Sequence, residues 1–568
     1  MKKILAMILA ACVSVGAWAA RADYRIIPLP KSVQTDSTQF FTISTGMGIA
    51  YDASDPEMAR NAQFLRQWVE ELTGIQLAMT PDDKKAAIQM RLGLPSDKKI
   101  KNKKGLTLTE QQQEAYLITV DKNGIAICAR KHVGLFRAAQ TLRKALPVLP
   151  IAQKAVSEQG LTDGGAFAKV EVAFPYTIIQ DEPRFGYRGV HLDCARHFFT
   201  VEVIKQYLDL MAMHGCNQFH WHFTEDQGWR FEVKALPDLA KKGSIREQTV
   251  LGRNTGVYDG QRYGGYYTQE QCRDIVNYAA ERYINVIPEI DMPGHMLGAL
   301  HVYPNLGCTG GPYPVWTHWG VSRDVLCAGN PETMTFLKTV FGELCDVFPS
   351  KFVHIGGDEC PKNRWKECPK CQAKAKELGL VDDGKHSIEN QLQTWVNHEI
   401  EQFLKERGRD MIGWDEVLEG GLTEGGIVMS WRGIKGGIEA AKQHHRVIMT
   451  PNAYCYIDHY QLKDQWSQPL GIGGYLPMSK VYEFEPLIPD QLSEEEQQYI
   501  LGPQVNLWTE YVAYPEHVFY MLLPRLDAIS EVQWSPSDQK DFEDFKGRLP
   551  HMKEIYDRMG VNYCHGLE

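Results

Sequence analysis

Phe352-Val-His-Ile-Gly-Gly-Asp-Glu359 is a short apolar run that passes through two glycines into two adjacent carboxylates. Apolar runs of this length, bounded by turn residues, read as buried strands. The same texture recurs along the C-terminal two thirds of the chain. It appears at 188–193, 218–226, 284–291, 352–359, 411–416, 427–432, 446–454 and 504–510, eight runs in all, each closing on acidic, aromatic or other polar residues. Helical patterns lie between several of them. From Thr200 to His214, Ile204, Tyr207, Leu208 and Met211 fall at i, i+3, i+4, i+7 before Gly215. At Thr268 the spacing to Gln271 reads as a capping box. Apolar strands alternating with helices imply parallel pairing, and eight of them imply a closed α/β barrel, the (β/α)8 or TIM fold. In that fold every strand points its C-terminal end at one face, so the polar residues that close the runs converge there.

Working outward, residues 20–180 have a different texture. Tyr116-Leu-Ile-Thr-Val and Ile125-Ala-Ile-Cys flank the turn signal Lys122-Asn-Gly, which reads as a hairpin. The stretch from Gly134 places Leu135, Ala138, Ala139 and Leu142 at helical spacing. A smaller α+β domain without a catalytic cluster is expected here. The expected division is an export signal at 1–19, the α+β domain at 20–180, the barrel at 181–535 and a C-terminal helical segment at 536–568 that packs on it. The signal rests on Lys2 and Lys3, an apolar stretch, and an Ala17-Trp-Ala19 cleavage pattern. Export to the periplasm or beyond is expected, with a lipoprotein anchored through Cys12 as the alternative. No later run is long and apolar enough to span a membrane.

The 568 residues carry a net charge of −10, and the one lysine cluster, Lys98 to Lys104, reads as a solvated loop, so no nucleic-acid partner is expected. Among thirteen cysteines, Cys308 and Cys327 bracket a Gly/Pro/Trp-rich loop and are the expected disulfide. Cys368-Pro-Lys-Cys371 with Cys360 supplies zinc-type ligands without a fourth at suitable spacing, and reads as a local disulfide or free thiols.

The converging set is dominated by acids and tryptophans: Asp193, Glu225, Asp226, His295, Asp358, Glu359, Trp414, Trp431, Trp508 and Glu510, with Arg188 and Tyr456. Aromatic faces stack on the C–H faces of sugars, and carboxylates accept hydrogen bonds from their hydroxyls. A carbohydrate is the expected partner.

HIGGDE, with GWDE, MSW, Tyr456-Ile-Asp458 and LWTE after it, resembles the family 20 glycoside hydrolases, the β-N-acetylhexosaminidases. Tyr187-Arg-Gly, Ala195-Arg-His-Phe-Phe, HFTEDQGWR from His222 and EIDMPGH from Glu289 agree, and the leading domain resembles the family's non-catalytic domain. The resemblance implies an exo-acting retaining enzyme that removes terminal β-linked GlcNAc or GalNAc. It implies Glu359 as general acid/base, and Asp358 as the residue that orients the substrate's 2-acetamido group, which serves as nucleophile. This family is an exception to the two-carboxylate pattern. By the same resemblance Arg188 binds sugar hydroxyls, Asp458 and Glu510 stand near the acetamido group and hydroxyls respectively, and Tyr456 bonds the acetamido oxygen. Trp414, Trp431 and Trp508 box the acetamido methyl and the ring, and His295 links an upstream acid to Glu359. That acid is usually Asp; here it is Glu225, with Asp226 next to it. Tyr454 is the alternative to Tyr456. No cofactor and no metal are implied.

Three rival readings are open at this point. One is a disaccharide-releasing enzyme of the same family, like a lacto-N-biosidase. Another is a metal-dependent barrel hydrolase using His220 and His222 with His295 or His354. The third is a carbohydrate-binding protein on a degenerate scaffold, against which the presence of Asp358 and Glu359 argues.

Overall fold

The computed structural model describes residues 19–96, 109–150 and 170–566. Nearly all of the expected export signal, Cys12 included, and the 98–104 lysine cluster lie outside the described residues. The described chain forms two compact units. One holds residues up to Ile26, 32–96 and 115–181. The other holds Ile27–Lys31, 109–114 and 182–566. No described helix is long and apolar enough to cross a membrane.

The first unit is an eight-stranded mixed sheet with two helices. Its hairpin pairs Tyr116–Asp121 antiparallel with Gly124–Ala129, and Asp121 accepts the Asn123 N–H at 2.7 Å to close the turn. Strand alternation turns Tyr116, Ile118 and Val120 inward. Helix His132–Ala145 buries Leu135, Ala138, Ala139 and Leu142 and packs with helix Pro56–Thr73.

The second unit is a closed barrel of eight parallel strands: β1 (Gly189–Asp193), β2 (Gln218–His222), β3 (Asn285–Glu289), β4 (Phe352–His354), β5 (Asp410–Trp414), β6 (Ile427–Ser430), β7 (Val447–Met449) and β8 (Ile500–Leu507). They pair in chain order and β8 returns to β1. All eight apolar runs are barrel strands. The connections are helical, including Val201–Met213 and Gln269–Ala280, the latter opened by the Thr268/Gln271 capping box. Between β6 and β7, where the sequence leaves little room, an eight-residue helix, Lys435–Lys442, suffices. The terminal helix Phe542–Met559 buries Phe545, Leu549 and Met552, and its Tyr556 hydroxyl donates to Asp527 at 2.7 Å.

All twelve described cysteines are free thiols, so the Cys308–Cys327 disulfide is not formed. Each of these two sulfurs instead shares its surroundings with Cys368 and Cys371.

Candidate active site

Strand β4 is only three residues long, and the bend at its C-terminal end decides the site. Gly356 and Gly357 have φ of +67° and +98°, and Glu359 has +43°. Neighbouring side chains on an extended strand face opposite ways. This left-handed bend, which glycine enters without penalty, lets Asp358 and Glu359 serve one pocket. Gly356 also has no space for a side chain: a Cβ there would lie 1.8 Å from Asp291 Oδ1. Asp291 is thereby pressed against the bend. It accepts the Gly357 N–H at 3.0 Å and hydrogen-bonds to Asp358.

Electrostatics separates these acids. Burial, reinforced by the Asp358 charge, raises Asp291 well above the usual carboxylate range. Burial also raises Asp358, with the Glu359 and Glu289 charges adding to it. Two buried carboxyls in contact cannot both ionise, so Asp291 holds the proton and donates it to an ionised Asp358. Glu359 is lowered instead, first by the His295 ring that faces it and by that ring's charge, against the opposing effect of burial. Its side chain is 42% exposed, the most open acid of the group.

His295 stands at the junction. Its Nε2 is 3.6 Å from Glu359 and 3.9 Å from Asp358, and its Nδ1 is 2.8 Å from Glu225 Oε2. Burial opposes its charge, yet Glu225, Glu359 and Asp291 raise it well above an ordinary histidine, so it is an imidazolium. Of the two neighbouring acids, Glu225 stands nearer the ring than Asp226. Asp226 gives its oxygens to the backbone N–H groups of Leu297 and Ser322 and is 3.7 Å from the ring. Glu225 reaches the ring directly and also contacts Arg196 Nη2 at 2.7 Å.

Below the rim a second anion organises the barrel interior. Glu289 on β3 contacts His222 Nδ1 at 2.5 Å, His220 Nε2 at 2.9 Å, His354 Nδ1 at 3.1 Å and Trp414 Nε1 at 3.0 Å. His222 in turn lies 3.3 Å from Glu225. Burial opposes charge on His222, but Glu289 and Glu225 push it up to about 10; burial takes His220 down to about 4. The imidazoles of the metal-hydrolase reading are therefore not one ligand set. His220, His222 and His354 surround Glu289, while His295 belongs to Glu225 at the rim.

Aromatic rings form the wall. Trp414 and Trp508 are 5.8 Å apart between centroids, Trp431 stacks on Tyr456 at 5.9 Å, and Tyr456 is 6.4 Å from Trp508. Burial raises the Tyr456 hydroxyl well above its ordinary range, and the Tyr456 backbone bridges to Asn506. Tyr454 faces elsewhere, stacked on Phe484, because the short helix Asn452–Cys455 interrupts the strand between the two tyrosines. Across the mouth, Asp458 is buried and raised well above its usual range by burial and by the nearby Glu510.

The family model described as the glycosyl hydrolase family 20 catalytic domain matches residues 185–537, and the model of that family's domain 2 matches residues 23–177. The chain belongs to glycosyl hydrolase family 20. It is 40% identical over 541 residues to a beta-hexosaminidase of Porphyromonas gingivalis, covering 95% of this chain and 64% of that protein, so it spans just under two thirds of that relative's length. It is 29% identical to a beta-N-acetylhexosaminidase of Cellulomonas fimi, covering 95% of this chain and 96% of that one. Among solved structures, a variant Streptomyces plicatus beta-hexosaminidase in complex with product (GlcNAc) superposes with a TM-score of 0.76 at 28% identity, covering 95% and 96% of the two chains. A GH20 exo beta-N-acetylglucosaminidase from Vibrio harveyi in complex with N-acetylglucosamine gives 0.78 at 29%, covering 96% and 79%.

For a family 20 glycoside hydrolase one expectation needs correction. Arg188 precedes β1 and so lies at the opposite end of the barrel from Asp358 and Glu359. It is fully buried, donating to Gly215 O at 2.7 Å, Phe185 O at 2.8 Å and both carboxylate oxygens of Glu114 at 2.8 and 2.7 Å. A side chain at the N-terminal end of a strand cannot meet ligands at the C-terminal face. The arginine at the mouth is Arg196, eight residues on. It contacts Asp193 at 3.2 Å, Glu225 at 2.7 Å and Glu510 at 3.9 Å, and lies 5.0 Å above Trp508. Arg196 lies within the matching Ala195-Arg-His-Phe-Phe segment, where the sequence alone gives no sign of its role. Asp291 and Glu416 are two further acids of the site, and both lie in segments matched to the family. Glu416 accepts from Trp431 Nε1 at 2.9 Å, and burial with the Asp358 charge raises it to about 8.

Proposed function

We propose that this pocket is the active site of an exo-acting, retaining β-N-acetylhexosaminidase. It would release terminal β-linked GlcNAc or GalNAc by substrate-assisted catalysis. The observation that carries the reading is the glycine bend that turns Asp358 and Glu359 into one aromatic-walled pocket. The names of the relatives, an exo-enzyme among them, support removal of single sugars.

In the first step the acetamido oxygen of the bound sugar attacks C1. The C1–O bond to the leaving group breaks, and Glu359 delivers its proton to the departing oxygen. The ring formed is an oxazolinium ion, whose N–H and positive charge face the Asp358 carboxylate. Preorganised charge of this kind acts most strongly where water is excluded. Asp291 keeps Asp358 ionised by donating to it. In the second step Glu359 takes a proton from water, the water oxygen bonds to C1, and the acetamido oxygen leaves. Two inversions give retention. Glu359 must be protonated first, while its free form is held ionised by His295. Sugar binding excludes water from the 42% exposed Glu359 side chain, which favours the neutral acid. Arg196, Glu510 and Asp458 are assigned to the sugar hydroxyls and the acetamido edge, Tyr456 to the acetamido oxygen, and Trp414, Trp431 and Trp508 to the ring and methyl. We further propose export through the N-terminal signal. Fractionation of cells expressing wild type and Cys12→Ala distinguishes a soluble from an anchored product.

The test compares chromogenic β-glycosides of GlcNAc and glucose with wild type and Glu359→Gln. Cleavage of the GlcNAc compound alone, lost in the variant, is expected. Comparable cleavage of the glucoside would remove the acetamido group as nucleophile and sink the mechanism.

A further inference from the structure

Four sulfurs gather in the segments after β3 and β4, and the chemistry above does not use them. Cys308 and Cys327 come from the long loop after β3; Cys368 and Cys371 come from the loop and helix after β4. The separations are 3.8 Å for Cys308–Cys371, 3.7 Å for Cys327–Cys368 and 3.6 Å for Cys327–Cys371, and all four sulfurs lie within 4.8 Å of one another. Four thiolates at about 2.3 Å from a central zinc stand about 3.75 Å apart along the edges of a tetrahedron. These three separations match that edge.

The backbone around them is built for the cluster. The segments bearing Cys308 and Cys327 pair through a Gly307/Leu326 bridge, with the Cys327 N–H on Leu306 O at 2.7 Å. Cys368 caps the helix Pro369–Glu377, so Cys371 lies in its first turn. Gly329 lies two residues after Cys327, and its N–H is directed at the Cys327 and Cys371 sulfurs. A Cβ on Gly329 would stand 2.1 Å from the Lys370 carbonyl and 2.4 Å from Cys371 N, so only glycine brings the two halves this close. Amide N–H groups aimed at the sulfurs are the outer-shell support that thiolate metal sites use.

We propose that Cys308, Cys327, Cys368 and Cys371 bind one structural zinc ion. The four thiols release their protons, four Zn–S bonds form, and nothing is oxidised or reduced. The ion would clamp the loop that carries His295 to the loop that carries Glu359. The adjoining contacts already run that way: Leu326 N–H donates to Pro293 O at 2.9 Å, and Trp365 Nε1 donates to Leu326 O at 2.9 Å. This assignment stands independently of the sugar chemistry. With all four positions filled by protein, the ion would hold structure rather than activate water.

The rival for an exported chain is a pair of disulfides across the same four sulfurs. Full-length protein, purified without chelator or reductant, is incubated with zinc chloride, desalted and analysed for metal and for thiols under denaturing conditions. One zinc per chain with every thiol titratable is expected. Cys308→Ser and Cys371→Ser should lose the ion, Gly329→Ala should bind it about 10- to 100-fold more weakly, and Cys345→Ser, outside the cluster, should keep it. Should the cysteine variants fail to fold, cobalt added to chelator-stripped wild type must give the thiolate charge-transfer and tetrahedral d–d bands. Four missing thiols without metal, four free thiols that take up no zinc, or iron in place of zinc would each overturn the assignment.

Discussion

Replacing Gly356 with alanine tests whether the bend after β4 is what makes the acid pair work. The left-handed φ of +67° costs a non-glycine residue about 1–2 kcal/mol. The new methyl would meet Asp291 Oδ1 at 1.8 Å, so that carboxyl must retreat by about 1.5 Å to reach ordinary contact. The retreat breaks the charge-assisted bond to Asp358, worth about 1.5–3 kcal/mol. Together these give about 3–5 kcal/mol of lost stability, or a fall in Tm of roughly 5–10 °C. The larger effect should be on rate. A displacement of about 1 Å at a reacting group costs about a hundredfold, so kcat on a chromogenic GlcNAc glycoside should fall about that much, with a smaller change in KM. The assay is steady-state kinetics beside a thermal melt of the same preparation. A variant with kcat within about threefold of wild type, under 1 kcal/mol, and an unchanged Tm would refute the argument.

The two arginines should separate cleanly. Arg188→Ala leaves Glu114 buried without its ion pair, so stability should fall by about 3–5 kcal/mol while kcat/KM per folded molecule holds. Arg196→Lys gives up at least one charged hydrogen bond at the mouth, and kcat/KM should fall about 10- to 100-fold; the opposite pattern would reverse the assignment. His222 predicts an alkaline loss of stability. Its folded pKa is raised to about 10, so its contribution is complete below about 6.5 and disappears as pH rises through about 10. Tm should decline across that window, and His222→Gln should flatten the decline; an unchanged slope would show that the ring is not charged.

The eight strands were legible because burial on both faces leaves a continuous apolar run, and each barrel strand kept that mark. The two glycines before the paired acids are plain in the sequence, but the left-handed bend they make is seen only in the folded chain. Arg188 misled because its motif match carried no direction. It stands on the N-terminal side of β1, and strand polarity alone should have excluded it in favour of Arg196. Tyr454 and Tyr456, two residues apart, would share one face of a strand, but the helical turn Asn452–Cys455 separates them. The sulfur cluster was half visible. Cys368-x-x-Cys371 has zinc spacing, but its partners lie 41 to 63 residues upstream, where only the folded loop brings them near. Asp291 lies at the C-terminal end of its run, where the other site acids also stand, and strand polarity marks it in the same way.

The Glu289 cluster bears on how this sequence can change over generations. One carboxylate satisfies donors from β2, β4 and β5 while sitting on β3. Any single exchange among these positions strands a polar atom in a dry interior, at a cost of about 1–3 kcal/mol or more. An apolar barrel centre is reachable only through several simultaneous replacements. The interior is therefore coupled: these positions can change only together, whereas residues in the loops around the mouth are free of that constraint.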